Sequence, residues 1–311
     1  AQSPHRQMLS RNFGMPSPQP EETLPKSSVP VQMPERVAKV PEQTVLRPVS
    51  DNVWEITSGW ELCEGDKVMT DEWFNAVVPG TVLTTLVHQG VYPDPYYGLN
   101  NLAIPENLTS PDDLCRKDWW YRCDFSLTES QLEKQSLELL FNGINYKADV
   151  WFNGCKLGNI AGAFIRGRFD ITSLAKPENS LYVHIYPPAN PGIPHEQSPR
   201  SGGGKNGGAM CLDGPTFFCS EGWDWIPGVR DRNIGIWQDV QLLATDGIAF
   251  GDAKVVTDLP LPDVSYADLT VTAYLRNSLD VDKKVLVKGT TGGMNFSTET
   301  VVPANSQIPV E

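Results

Sequence analysis

The chain has 311 residues, of which 40% are hydrophobic and 20% charged, a composition typical of a globular protein of about two domains. Its formal net charge of -13 argues against a nucleic-acid partner, because such a partner calls for a basic face. No apolar run reaches the roughly 18 residues that a membrane-spanning helix needs, so we expect no membrane partner.

Residues 1–50 are rich in proline and contain a single aromatic residue, Phe13. Such a segment cannot bury much apolar surface, so we predict an extended arm or linker. The chain begins with Ala1, and the stretch "AQSPHRQ" is typical of the residues that remain after a signal peptide is removed. We therefore expect a periplasmic or secreted protein.

Residues 51–246 alternate apolar and polar side chains in several short runs, which predicts an all-β jelly-roll sandwich. The clearest runs are 121–127 and 181–186. The first of them places four side chains on one face: Tyr121, Cys123, Phe125 and Leu127. The stretch 141–154 indicates two strands joined by a short connection, followed by a hairpin turn at Asn153-Gly154. A short helix is predicted within 80–90.

Residues 247–311 contain neither tryptophan nor cysteine, which indicates a second domain with a different core. Alternation over 269–275, followed by the strand-like "KKVLVKG", favours an immunoglobulin-like β-sandwich. A full domain of that type needs about 100 residues, so we expect this one to be incomplete within the chain.

Six cysteines lie between residues 63 and 219, and none forms a CxxC pair, which argues against a zinc or thioredoxin-type site. Two interpretations remain open for them. They are mostly free buried thiols, or some pair in an exported protein. Cys211 and Cys219 bracket the end of a long loop, where a disulfide would staple the chain.

That loop, residues 187–221, has no usable periodicity, and a loop of this length inside a compact domain is usually functional or disordered. Its "GGGKNGG" lacks the spacing of a phosphate-binding loop and a following helix, so we interpret it as a flexible stretch. No metal or cofactor is predicted anywhere in the chain.

The loop leads into "GWDW", where Trp223 and Trp225 flank Asp224. Indole faces suit the apolar face of a sugar ring, and a carboxylate accepts hydrogen bonds from two hydroxyls at once. Alternatively, both tryptophans fill the core and Asp224 caps a turn. The following "RDRN", residues 230–233, is a surface cluster of ion pairs or part of the same site.

Several stretches together resemble family 2 of the glycoside hydrolases, in the order in which that family carries them. The similarity is greatest to the branch of β-mannosidases, exo-β-glucosaminidases and plant endo-β-mannosidases. The stretches are "VPGTVLTTLVHQGVYPDPYYGLNN" (78–101), "DWWYRCDFSL" (118–127), "FNGINYKADVWFNG" (141–154), "GWDWIPGVRDRNIGIWQDVQL" (222–242) and "AFGDAKVVTDLP" (249–260). The resemblance covers about 50–311, and residues 1–50 have no counterpart in it.

The resemblance implies a retaining glycosidase built from a jelly-roll domain, an immunoglobulin-like domain and a catalytic (β/α)8 barrel. Retention needs two carboxyl groups about 5–5.5 Å apart, one of them in an Asn-Glu pair on a barrel strand in this family. This sequence departs from that pattern, because it contains no Asn-Glu dipeptide and no alternating βα units. We therefore assign no catalytic residue within 1–311 and expect the barrel beyond residue 311.

The resemblance also implies that loops of the first domain bind the terminal sugar. It assigns Asp224 to glycone hydroxyls, with Trp223 and Trp225 as walls or supports. Asn100 and Asn101 match a sugar-approaching asparagine of the galactosidase branch. Arg230 is a further candidate, although Arg230 and the neighbouring Asp231 suit a role in holding the loop.

The function expected from these observations is the substrate-shaping portion of a mannosidase-like exo-β-glycosidase. Its partners would be an oligosaccharide or glycan substrate and the chain's own catalytic barrel. A β-galactosidase or exo-β-glucosaminidase of the same family is an alternative. A non-catalytic carbohydrate-binding protein is another.

Overall fold

Two antiparallel β-sheets packed face to face form the larger part of the chain. The computed structural model describes residues 29–105, 110–190, 212–213 and 229–311. The strands of the two sheets are β1 (Leu46–Ser50), β2 (Val53–Ile56), β3 (Trp60–Glu64), β4 (Phe74–Asn75), β5 (Trp119–Ser126), β6 (Ser136–Phe141), β7 (Lys147–Phe152), β8 (Cys155–Ala161), β9 (Gly167–Asp170), β10 (Glu178–Tyr186) and β11 (Val240–Thr245).

The strands divide into a six-stranded sheet of order β4-β3-β5-β10-β7-β8 and a five-stranded sheet of order β1-β2-β11-β6-β9. Neighbours in these sheets are seldom consecutive in sequence, as expected where the chain passes back and forth between two layers. The predicted all-β jelly-roll sandwich is confirmed.

The core lies between the two sheets and is filled by the alternating side chains of the central strands. Along β5 the side chains of Trp119, Tyr121, Cys123 and Phe125 are buried, and the intervening ones face outward. Leu127, just past the strand, is buried as well, so the predicted apolar face is confirmed. Each large apolar side chain contributes about 1.5–3 kcal/mol by leaving water.

The predicted short helix is α1 (Val82–His88). Its N-cap is Thr81, whose side chain accepts a hydrogen bond from the backbone N–H of Thr84, as N-cap hydroxyls commonly do. The chain leaves the helix through Gly90, whose φ of +65° suits glycine. A one-turn helix, α2 (Glu129–Leu132), follows β5 with a complete capping box.

The stretch 141–154 forms the two expected strands, but they do not pair with each other. β6 ends at Phe141 in the five-stranded sheet, and β7 begins at Lys147 in the six-stranded one, so residues 142–146 cross between the layers. β7 pairs instead with β8, across a turn in which Asn153 and Gly154 both have positive φ. The hairpin turn at Asn153-Gly154 is thereby confirmed.

Beyond the sandwich, five more strands form two smaller sheets. They are β12 (Ile248–Asp258), β13 (Asp268–Asn277), β14 (Lys283–Thr291), β15 (Met294–Val302) and β16 (Ser306–Val310). The sheets have the orders β12-β13-β16 and β14-β15, an arrangement consistent with the predicted immunoglobulin-like sandwich. The predicted strands within β13 and β14 lie in different sheets.

A small apolar cluster and a buried carboxylate connect the sandwich to the strands that follow it. Leu140, Leu243 and Ala249 pack together in the cluster. Beside them Glu138, with 4% of its surface exposed, receives Arg168 from β9 and Arg276 from β13. One acidic side chain therefore joins three strands that belong to both parts of the chain.

The segment predicted as an extended arm has no regular secondary structure over residues 29–45, and then forms β1. β1 pairs with β2 and is thus an edge strand of the five-stranded sheet. The sandwich therefore begins at Leu46 rather than after residue 50. The domain boundaries otherwise stay a prediction.

Among the described cysteines, Cys63 and Cys123 are buried free thiols and Cys155 is an exposed one, while Cys115 is buried. Burial raises the pKa of the Cys63 and Cys123 thiols to about 12, so they remain protonated at neutral pH. Cys211 and Cys219 lie outside the described residues, and their disulfide stays a prediction. Within the described ranges, none of the helices has the length and apolar character needed to span a bilayer.

Candidate functional site

Hydrogen bonds bring three segments of the chain together, and these segments define the candidate site. They are the 3-10 turn Asn100–Ala103, the described residues 229–236, and the start of α1 at Thr81. Backbone hydrogen bonds join the last two, because Gly80 and Val82 donate to the carbonyl groups of Ile236 and Ile234.

Arg230 anchors the segment 229–236 to the 3-10 turn. It is only 8% exposed, and its guanidinium Nη1 donates to the carbonyl oxygens of Leu102 and Ile104 at 3.2 and 2.8 Å. Its backbone N–H donates to Oδ1 of Asn101 at 2.9 Å. Two of the predicted sugar-binding residues, Asn101 and Arg230, are therefore brought together, and both act on the backbone of their surroundings.

Asn100, the other predicted asparagine, is 4% exposed. Its Oδ1 accepts a hydrogen bond of 2.7 Å from the backbone N–H of Gln32, in the arm. The adjacent asparagines thus serve different neighbours, since Asn100 binds the arm and Asn101 binds Arg230.

Asp231 occupies the centre of the site. Its carboxylate accepts hydrogen bonds from the Thr81 hydroxyl at 2.9 Å and from the Asn233 backbone N–H at 2.7 Å. The residue is half-buried, yet desolvation of its carboxyl group raises its pKa to about 6, and the nearby Asp113 charge adds to this. The charge of Asp231 in turn acts with burial to raise the pKa of the Tyr121 hydroxyl.

Asn145 also belongs to the site, although the sequence interpretation did not single it out. Its side-chain Nδ2 donates to the carbonyl oxygens of Arg232 and Asn233, at 3.1 and 2.8 Å, from a fully buried position. Its backbone exchanges hydrogen bonds with Gly235. A polar amide between the apolar Ile144 and Tyr146 is the signal that marks it in the sequence.

Gly235 is the close-packed point of the site. Its φ is +148°, and a Cβ there would lie 2.6 Å from the Gly80 carbonyl oxygen and 3.0 Å from the Tyr121 hydroxyl. Only glycine lets the segment 229–236 approach α1 this closely.

Taken together, the described polar groups hold backbone rather than present themselves to a ligand. Asp224, Trp223 and Trp225 lie outside the described residues, as does most of the loop 187–221, so their predicted sugar contacts stay predictions. In the described part of the chain, no three His, Cys, Asp or Glu side chains are grouped in a way that would hold a metal ion.

A second cluster, on the outer face of the six-stranded sheet, also went unpredicted. Trp120 stacks in parallel on His184, with ring centroids 4.2 Å apart, and Trp151 and Tyr186 flank the pair. His184 Nε2 lies 2.6 Å from the Asp118 carboxylate. In the sequence, this cluster is marked by aromatic rings at outward-facing positions of adjacent strands. The rings pack against one another, and His184 and Tyr186 form hydrogen bonds with two aspartate carboxylates, which suits a stabilising role for this face.

A family profile described as "Glycosyl hydrolase 2 galactose-binding domain-like" matches residues 54–238, more than half of the chain. The match includes the three segments that form the candidate site.

Known relatives are glycoside hydrolases. A mannosylglycoprotein endo-beta-mannosidase of Lilium longiflorum is 36% identical over 214 residues, covering 68% of this chain and 21% of the relative. An exo-beta-D-glucosaminidase of Streptomyces avermitilis is 31% identical over 238 residues, covering 75% of this chain and 23% of the relative. The solved exo-chitosanase of Amycolatopsis orientalis superposes with a TM-score of 0.64 at 26% identity, covering 83% of this chain and 28% of that one. The chain thus spans between 21% and 28% of the length of these proteins.

Proposed function

The chain belongs to glycosyl hydrolase family 2, and from that membership we propose that it is the substrate-shaping portion of a retaining exo-β-glycosidase with mannosidase-like specificity. The similarity to the lily endo-β-mannosidase supports the choice of sugar. In this proposal the catalytic carboxyl groups belong to a barrel outside residues 1–311, and the chain's own loops select the terminal sugar.

The observation that carries the proposal is the anchoring of residues 229–236, which follow "GWDW" after three intervening residues. Arg230 donates to the buried Ile104 carbonyl, Asp231 accepts from the Thr81 hydroxyl, and Gly235 packs closely against the Gly80 carbonyl. These contacts fix the course of the segment without a ligand. A sugar-binding carboxylate needs such preorganisation, because a contact that must first be ordered loses part of its binding energy to the ordering. We propose that this anchored segment presents Asp224 to the glycone.

Each residue then has a distinct role. Asp224 accepts hydrogen bonds from two hydroxyls of the terminal sugar, and Trp223 and Trp225 pack against its apolar face or support the carboxylate. Asn101 and Arg230 hold the turn and the segment in place. This assignment replaces the direct sugar contact predicted for them, because their described hydrogen bonds go to protein backbone and to each other.

The test is Asp224→Ala in an enzyme that contains this chain together with its catalytic barrel. One charge-assisted hydrogen bond is worth about 1.5–3 kcal/mol, so kcat/KM on an aryl β-mannoside should fall about 10- to 150-fold. The melting temperature should change by no more than a few degrees. A substrate that lacks the contacted hydroxyl should lose little further activity in the variant.

Asp224→Asn is the matched control, because it keeps the shape and one acceptor and should lose less activity than Asp224→Ala. If Asp224→Ala unfolds the protein while the folded fraction keeps its normal kcat/KM, Asp224 is a structural cap and the proposal fails. The isolated 1–311 chain should show only background hydrolysis. Turnover by the isolated chain that is lost when a residue within 1–311 is mutated would equally contradict the proposal, because it would place the catalytic group inside the chain.

An exo-β-glucosaminidase is the second candidate, favoured by the greater coverage of the Streptomyces relative and by the Amycolatopsis structure. The two candidates differ at C2 of the sugar, which carries an axial hydroxyl in a mannoside and an equatorial amine in a glucosaminide. The ratio of kcat/KM on aryl β-mannoside and aryl β-glucosaminide decides between them.

A further inference from the structure

The arm, residues 29–45, lies along the sandwich through backbone hydrogen bonds although its residues are mostly exposed. Leu99 N–H donates to the Val29 carbonyl oxygen at 3.1 Å, and Val37 N–H donates to the Gln89 carbonyl oxygen at 3.1 Å. Farther along, Asn75 both accepts from the Val40 N–H and donates to its carbonyl oxygen. The arm therefore docks along a definite path.

Two glycines with positive φ shape the surface on which the arm lies. At Gly98 a Cβ would lie 2.8 Å from the Val29 carbonyl oxygen, and at Gly90 it would collide with the carbonyl oxygen of Glu35. Since any other residue would push the arm away, this surface accommodates the arm's backbone closely.

The contact between Gln32 and Asn100 connects the arm to the candidate site. Gln32 N–H donates to Asn100 Oδ1 at 2.7 Å, while the neighbouring Asn101 accepts the Arg230 N–H at 2.9 Å. Arg230 completes the connection by donating to two carbonyl groups, that of Leu102 in the same turn and that of Ile104 just after it. One short 3-10 turn is thus held by the arm on one side and holds Arg230 on the other.

We propose that the arm is a positioning element for the sugar-binding segment, acting from Gln32 through the turn Asn100–Ala103 to Arg230. Gln32, through its backbone N–H, and Asn100, through its side chain, are then positioning residues, and neither touches the sugar. The sugar-binding part of this inference rests on the function proposed above. The mechanical part, from the arm to Arg230, does not.

A pair of substitutions at one exposed position separates the backbone contact from the side chain. Gln32→Pro removes the N–H donor, and Gln32→Ala keeps it. Both should leave the sandwich folded, because the arm is already rich in proline and Gln32 is exposed. Val40→Pro removes the backbone N–H that donates to Asn75, and it serves as a control for a general loosening of the arm.

Hydrogen exchange of the Arg230 amide is the direct readout, since that N–H is the one bound by Asn101. In the 311-residue chain, Gln32→Pro should speed its exchange about 2- to 10-fold, the equivalent of one net hydrogen bond. Gln32→Ala and Val40→Pro should leave it near the wild-type rate. Equal effects from Gln32→Pro and Gln32→Ala, equal effects from Gln32→Pro and Val40→Pro, or no effect of Gln32→Pro, would overturn the inference.

Sugar binding, followed by tryptophan fluorescence during titration with methyl β-mannoside, distinguishes this inference from the proposed function. This titration uses the enzyme that contains the chain together with its catalytic barrel. If the wild-type enzyme binds the sugar, Gln32→Pro should weaken its affinity by a similar 2- to 10-fold factor, and Gln32→Ala should not. If the wild-type enzyme does not bind the sugar, the proposed function is contradicted, while the exchange result still decides the mechanical link. Unchanged affinity in a Gln32→Pro variant with faster exchange would refute the sugar-binding part alone.

Discussion

Asp231→Asn should make the sandwich more stable at neutral pH, and increasingly so as the pH rises. The carboxyl group of Asp231 has an ordinary pKa of 3.8 when solvated, and desolvation in the fold raises it to about 6. Between these two values the folded protein holds a proton that the unfolded chain has already lost. Stability therefore falls as the pH rises through this window, and the loss is complete above about pH 7.

The magnitude follows from the size of the shift. Each pKa unit corresponds to about 1.4 kcal/mol, so the shift sets an upper bound of about 3 kcal/mol. Because Asp231 is half-buried, we expect roughly 1–3 kcal/mol. Asparagine keeps one acceptor, for the Asn233 N–H, and can donate from its amide nitrogen to the Thr81 hydroxyl oxygen. It carries no charge, so it avoids the desolvation cost at every pH.

Urea denaturation followed by tryptophan fluorescence measures this effect in the correct domain, because all nine tryptophans lie between Trp54 and Trp237. The difference in unfolding free energy between Asp231→Asn and the wild type should grow by roughly 1–3 kcal/mol from pH 4 to pH 7.5. Asp263→Asn is the control. Asp263 is fully exposed, and hydrogen bonds from Ser265 lower its pKa, so its variant should show no growth between pH 5 and 7.5. A pH-independent difference for Asp231→Asn would refute the desolvation of its carboxyl group.

Two further substitutions test the packing around the site and between the two parts of the chain. Glu138→Gln should lower the free energy of unfolding by about 3 kcal/mol, because it leaves Arg168 and Arg276 without their shared carboxylate. The control is the exposed Glu299→Gln, which should lower it by less than about 1 kcal/mol. Equal losses in urea denaturation would contradict this prediction. Gly235→Ala should cost more than about 2 kcal/mol, because its Cβ would strike the Gly80 carbonyl oxygen; an unchanged melting temperature would show that this approach is not close.

Much of the fold could be predicted from local sequence patterns. The alternation in 121–127 determines which side chains of β5 face the core, since successive side chains of a strand point to opposite faces. Thr81 and Gly90 mark the ends of α1, and Asn153-Gly154 supplies the positive φ values of a hairpin turn. Each of these signals acts over a few residues, so a reading of the sequence captures it.

The partners of the strands could not be predicted in the same way. β6 and β7 are five residues apart yet lie in different sheets, because the connection between them crosses the core. A strand carries the same alternation in either sheet, so its own pattern does not name its neighbour. The same holds for β13 and β14.

The sequence by itself determined the all-β class, the family, and the residue types that suit a sugar-binding loop. Only the tertiary structure decided the hydrogen-bond partners of Asn100, Asn101 and Arg230, while the sugar contacts of residues 223–225 stay predictions. In the sequence, Asn100, Asn101 and Arg230 were all sugar-binding candidates, with Arg230 also suited to holding the loop. The fold directs Asn100 to the arm and joins Asn101 to Arg230. The physical reason is that a polar side chain buried by distant segments must take its hydrogen-bond partners from them, and those segments meet only in the folded chain.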